Sequence, residues 1–160
     1  MAGKKKKRSA LTQLGLAARA GRTALSQRLA ELDLYPGQDA VLLSLGEEDG
    51  LSLRELSVRL SVRPPTITKM VARLTAQELL EKRASATDAR QSHAFLTERG
   101  RTLVQQVRDA QRSTERAALR GLTDKERKAL KKLLLKVTRN LAERTEAPAS
   151  EAESVIEIDD

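Results

Sequence analysis

LSLRELSVRLSVRPPTITKMVARL, residues 51–74, decides the fold. Ser52 and Glu55 are spaced as a capping box, in which a serine hydroxyl and a glutamate carboxylate each take an orphan amide at a helix start. Leu53, Leu56 and Leu60 then recur on one face, and Ser61-Val62-Arg63 is a three-residue turn. Pro65 forces Pro64 into an extended, cap-like conformation and brings a preset helical φ of its own, so the spacing predicts a second helix starting at this pair. In that helix Ile67, Met70, Val71 and Leu74 share a narrow apolar sector, while Pro65, Thr68, Lys69, Ala72 and Arg73 lie opposite, with Thr66 at the margin. A capped helix, a short turn and a helix with a short-chained, then basic, outer face have the spacing of a helix-turn-helix.

The surrounding sequence extends this unit. Leu11, Leu14, Ala18, Leu25, Leu29 and Leu32 mark one face of a long helix ending near Asp33. Pro36 is expected to open a second helix, with Val41, Leu42 and Leu45 inside and Gly46-EEDG as the stop. LLEKR (79–83) and SHAFL (92–96) read as two strands flanking the turn-prone ASATDARQ. Thr97 can cap a helix carrying Leu103, Val104, Val107 and Ala110, running to about Arg120. Thr123 and Glu126 form a second capping box ahead of Leu130, Leu133, Leu134, Val137 and Leu141.

Composition narrows the function. The 160 residues carry a formal charge of +8, which favours an anionic partner, nucleic acid before a membrane surface. The first 22 residues hold seven Lys/Arg and no acid, residues 146–160 six acids and no base, so the segment between the tails is basic too. Tyr35 and Phe95 are the only aromatic residues, so the core must be built from Leu, Val, Ile and Ala. With no cysteine there is no thiolate nucleophile and no soft metal ligand, and the single histidine, His93, makes no metal site alone. No phosphate-binding glycine loop and no hydroxyl-histidine-acid arrangement is present, so no catalytic residue, metal or cofactor is assigned. The start MAGKKKKRS lacks the apolar stretch of a secretory signal and no run approaches membrane-spanning length; a soluble, cytoplasmic protein without membrane association is expected.

LYPGQDAVLLSL, the stretch 51–74, LLEKR, the TDAR of residues 87–90 and LTERG form an ordered set that resembles the multiple-antibiotic-resistance-regulator (MarR) family of winged helix-turn-helix repressors, over roughly residues 35–105. The resemblance implies a mainly α fold with a small β wing. Its expected parts are a disordered basic tail (1–8), an N-terminal dimerisation helix (9–35), the winged helix-turn-helix (36–96), C-terminal dimerisation helices (97–145) and an acidic flexible tail (146–160). It implies a bacterial homodimer on a pseudo-palindromic double-stranded DNA operator, associated with the nucleoid when bound, its two recognition helices about 34–36 Å apart. Arg63, Pro64, Pro65, Thr66, Thr68, Lys69 and Arg73 would approach the major groove and adjacent phosphates, and Arg83, Asp88 and Arg90 would serve the wing, with Arg90 at the minor groove. A small effector of the aromatic or phenolic acid type would bind where the dimer helices meet the DNA-binding lobe, and Arg28, Tyr35 and Gln38 are the candidates there. The alternative is a winged-helix adaptor or anti-repressor acting through protein contacts. Three positions depart from the family pattern: Arg63 replaces a common Ser or Thr cap, Glu78 a usual glycine and Ala89 a frequent wing arginine.

Overall fold

The computed structural model describes residues 8–84 and 91–146. The order is α1 (Ala10–Ala30), α2 (Gln38–Glu47), β1 (Leu51–Ser52), α3 (Leu53–Leu60), α4 (Pro64–Ala76), β2 (Leu80–Ala84), β3 (Ser92–Leu96), α5 (Glu98–Ala118) and α6 (Asp124–Glu146). The chain divides into two compact units, residues 1–118 and 119–160. The mainly helical winged architecture read from the sequence is the one observed.

In the first unit, α1 and α2 both pack along α5, and α4 packs on α2 and α3. The sheet is antiparallel in the order β1-β3-β2, with Leu80 opposite Leu96 and Arg83 opposite His93. Alternation along β3 turns Ala94 and Leu96 into the core, where they meet Leu80, Leu42, Leu45, Leu56 and the inner residues of α4. The strand β1 has two residues and was not expected; Leu51 and Ser52 pair with Ala94 and His93, and Ser52 is also the N-cap of α3.

Both capping boxes form. The Ser52 N–H donates to Glu55 Oε2 at 2.7 Å and the Glu55 N–H to Ser52 Oγ at 3.2 Å. Thr123 and Glu126 repeat the exchange at α6, and Thr97 Oγ1 accepts the Gly100 N–H at the start of α5. Gly100 is there for space: a Cβ would sit 2.1 Å from the Leu79 carbonyl oxygen, which is backbone and cannot yield.

Pro36 does not open α2. Tyr35 N–H bonds Gln38 Oε1 and Gln38 N–H bonds the Tyr35 carbonyl, closing a turn over residues 35–38. The helix follows it, with left-handed Gly37 as N-cap. At its other end, α1 stops at Ala30, three residues short of the expected boundary.

Three helix ends close alike. Around Asp33, Ser61 and Glu78, each at positive φ, the residue's own N–H bonds the carbonyl three back, and the next N–H bonds the carbonyl five residues before it. This is the Schellman closure, ordinarily made with glycine. The following residue turns inward each time: Leu34 and Leu79 are buried, and Val62 packs against the core. Glu78 therefore makes, with a side chain, a turn that ordinarily takes glycine.

The second unit contains α6. Leu133, Leu134, Leu135, Val137 and Leu141 are all exposed, Leu133 by 62%.

Candidate nucleic-acid interface

Ile67, Val71 and Leu74 of α4 are fully buried, Met70 is partly buried against the same core, and Pro64, Pro65, Thr66, Thr68, Lys69, Ala72 and Arg73 are exposed. The outer face expected from periodicity is thus presented as one surface. The helix begins one residue earlier than expected: the N-cap is Arg63 and both prolines are inside the first turn. A residue before proline is kept from helical angles partly by its own amide hydrogen, and Pro64 has none. That also accounts for a cap without a hydroxyl. Two of the helix's orphan donors do not exist, and the next, Thr66 N–H, bonds the Arg63 carbonyl at 2.9 Å.

The outward groups differ in chemistry. Thr68 Oγ1 donates to the Pro64 carbonyl at 3.0 Å, leaving its lone pairs and methyl for a base edge. Arg63 and Lys69 form no ion pair with a described residue, so both cations are available to an anion. Arg73 lies over the Tyr35 ring, 5.5 Å from its centroid.

In the wing, Arg83 on β2 stacks over Phe95 of β3 at 4.5 Å and pairs with Glu81 at 3.0 Å. These contacts fix it at the root of the wing, with its end still exposed. Asp88 and Arg90, and with them Ala89, lie outside the described residues, as do the tails 1–7 and 147–160. His93 is half-buried on β3 opposite Ser52, and its charge, when present, adds a small stabilisation to the Glu55 carboxylate. The Ser52 hydroxyl first, then the Ser52 N–H, hold that carboxyl below its ordinary value.

The effector candidates are only partly gathered. A cleft of about 580 Å³ runs between the end of α1 and the end of α4, lined by Ser26, Asp33, Tyr35, Gln77, Glu78 and Arg99 among others. An adjoining one of about 420 Å³ is lined by Tyr35, Gln38, Arg73, Ala76 and Gln77. Tyr35 borders both, while Gln38 borders the second, buried with its Nε2 unpaired by any described group. Arg28 lines neither cleft.

Two positions were missed from sequence. Gln77 Nε2 donates to the Asp33 carbonyl at 3.0 Å, tying α4 to the segment after α1. Asp49 bonds the Leu96 and Gly50 amides and pairs with Arg101, joining sheet to α5. Within the acidic run EED nothing in residue type distinguishes Asp49 from its neighbours.

Among the described residues no group of three or more His, Cys, Asp or Glu could hold a metal, and no helix is long and apolar enough to cross a membrane. A MarR family model matches residues 32–91. The HTH-type transcriptional regulator TtmR of Methylorubrum extorquens is 36% identical over 139 residues, covering 85% of this chain and 70% of that protein. The HTH-type transcriptional repressor IacR of Pseudomonas putida is 27% identical, over 73% of this chain and 70% of its own. Among solved structures, the MarR protein of Peptoclostridium difficile superposes with a TM-score of 0.75 at 25% identity, covering 90% of this chain and 94% of that one. A Listeria monocytogenes regulator complexed with a 26mer DNA does so with a TM-score of 0.72 at 26% identity, over 86% and 91%.

Proposed function

Because the chain belongs to the MarR family of transcriptional regulators, which are not enzymes, we propose that it acts as a homodimer that binds a pseudo-palindromic duplex and represses transcription until a small effector releases it. The observation that carries this reading is the outer face of α4, where Thr66 and Thr68 precede Lys69, which has no ion-pair partner among the described residues, on a helix seated by Ile67, Val71 and Leu74. Threonines can read base edges, and Arg63, Lys69 and Arg73 can neutralise phosphate or reach guanine. The family resemblance of the TDAR stretch adds Asp88 and Arg90 to the proposed DNA contacts. The DNA complex of the Listeria relative supports the assignment.

Dimerisation is supported by the uncovered apolar row of α6 and by Leu11 and Leu16 on α1, which need a partner surface. The clefts at Tyr35 and Gln38 lie beside the end of α4, where an aromatic or phenolic acid would act on the recognition helix. A cytoplasmic, nucleoid-associated location follows from this role.

Selection from a random duplex library with the full chain tests the reading. One enriched two-fold-symmetric motif is expected, with binding that weakens steeply as salt rises. An adaptor acting through protein contacts would enrich no motif, and that result overturns the proposal.

A further inference from the structure

We propose that Tyr35 is the positioning residue for the DNA-reading face of α4, its ring holding Arg73 in the direction from which the guanidinium meets the duplex. This role rests on the DNA-binding reading above. Met70 and Arg73 of α4 and its C-cap Gln77 occur at intervals of three and four, and all three engage the segment 33–38. The Met70 methyl fills the space over Gly37, where a Cβ would lie 2.6 Å from it. Arg73 stacks on Tyr35, and Gln77 bonds the Asp33 carbonyl.

That segment is itself fixed. Tyr35 and Gln38 exchange two hydrogen bonds, Gly37 N–H bonds Asp39 Oδ1 at 3.0 Å, and Leu34 N–H ties the segment back to Leu29 of α1. Tyr35 is 62% exposed, so it adds little to the core, and the described partner of its ring is the arginine. An arginine side chain loses much rotamer freedom on docking; one already laid along a ring has lost part of it beforehand. The stack thus turns a flexible cation into an oriented one, and it does so from the turn that precedes α2.

The test is a double-mutant cycle on affinity for the selected duplex, using the full chain. Tyr35→Ala is expected to weaken binding about two- to fivefold, the worth of an exposed cation–π contact. Tyr35→Phe should retain wild-type affinity, and Tyr35→Ala should cost nothing more once Arg73→Ala is present. Losses that add in the double variant, or a Tyr35→Phe as weak as Tyr35→Ala, overturn the positioning role. A second readout needs no DNA: the Arg73 Nε–H resonance should shift in Tyr35→Ala and hold in Tyr35→Phe, and an unmoved resonance also overturns it. Failure of the library to yield any motif, with the resonance shifting as expected, removes the DNA-binding reading and leaves a stack without this role.

Discussion

Asp49 and Arg101 join the wing to the helix that carries it: Asp49 Oδ2 meets the guanidinium at 2.9 Å while Oδ1 takes the Leu96 N–H at 2.9 Å and the Gly50 N–H at 3.1 Å. The two partners are not equivalent. Removing Arg101 loses an exposed ion pair, worth at most about 1 kcal/mol, whereas removing Asp49 also takes the acceptor from the part-buried Leu96 amide, at about 1–3 kcal/mol, while Gly50 N–H keeps the Ala94 carbonyl. Urea unfolding of Asp49→Ala and Arg101→Ala should show the first clearly less stable. Equal losses would mean that the ion pair alone holds this junction.

Glu78 occupies a left-handed turn at φ 59° that glycine adopts without a Cβ penalty. Glu78→Gly should therefore stabilise the protein by about 0.5–1 kcal/mol after the extra unfolded-state entropy of glycine is set against the relief. Its exposed ion pair with Arg99, 3.7 Å long, is too weak to reverse the sign. Thermal unfolding checks this, and a lower midpoint would contradict it.

Acid should weaken two helix starts together. Glu55 and Glu126 both have carboxyls held below the ordinary value of 4.5, Glu55 chiefly by the Ser52 hydroxyl and Glu126 chiefly by the Thr123 N–H. A lowered folded value means that the contribution is complete above about pH 4.5 and is lost as pH falls through the folded value. Glu55→Gln and Glu126→Gln should each flatten the fall in stability below that pH, measured by denaturant titration at several pH values. An unaltered slope in both would exclude the capping boxes as its source.

At the interface, Lys69→Ala should weaken binding across all duplexes and reduce the salt slope by about 1, the signature of a phosphate contact. Thr68→Val keeps the shape and a methyl but loses the acceptor, so it should relax sequence preference with little change in salt dependence. Competition of selected against scrambled duplex at several salt concentrations separates these outcomes. If the two variants behave alike, the division of roles along α4 is wrong.

Leu133 and Leu141 lie eight residues apart on the exposed row of α6. Leu133→Glu with Leu141→Glu should give a monomer by sedimentation with helical content retained, and duplex affinity should fall because one recognition helix per complex is lost. A double variant that remains dimeric would place the interface elsewhere.

What could be read in advance was whatever local rules determine. Ser52-x-x-Glu55 and Thr123-x-x-Glu126 name their own bonds, and Ile67, Val71 and Leu74 name their own face. What stayed hidden depends on residues distant in sequence. Two-residue β1 exists only because Ala94 and His93 are beside it, and Asp49 is distinguished from Glu47 and Glu48 only by the Leu96 amide and Arg101. Pro36 misled because a side-chain bond from Gln38 closes the turn before the helix can start. The exposed face of α4 was legible from periodicity; the contact of Arg73 with the Tyr35 ring was not, since it joins residues 38 apart.

The paired prolines at the start of α4 carry a consequence for how the protein grips its target. A helix beginning usually offers bare amides to an anion. Here Pro64 and Pro65 offer none and Thr66 N–H is already spent on the Arg63 carbonyl. The tip of α4 therefore has no main-chain clasp for phosphate, and any hold on an anion at this tip has to come from side chains, which substitution can change one at a time.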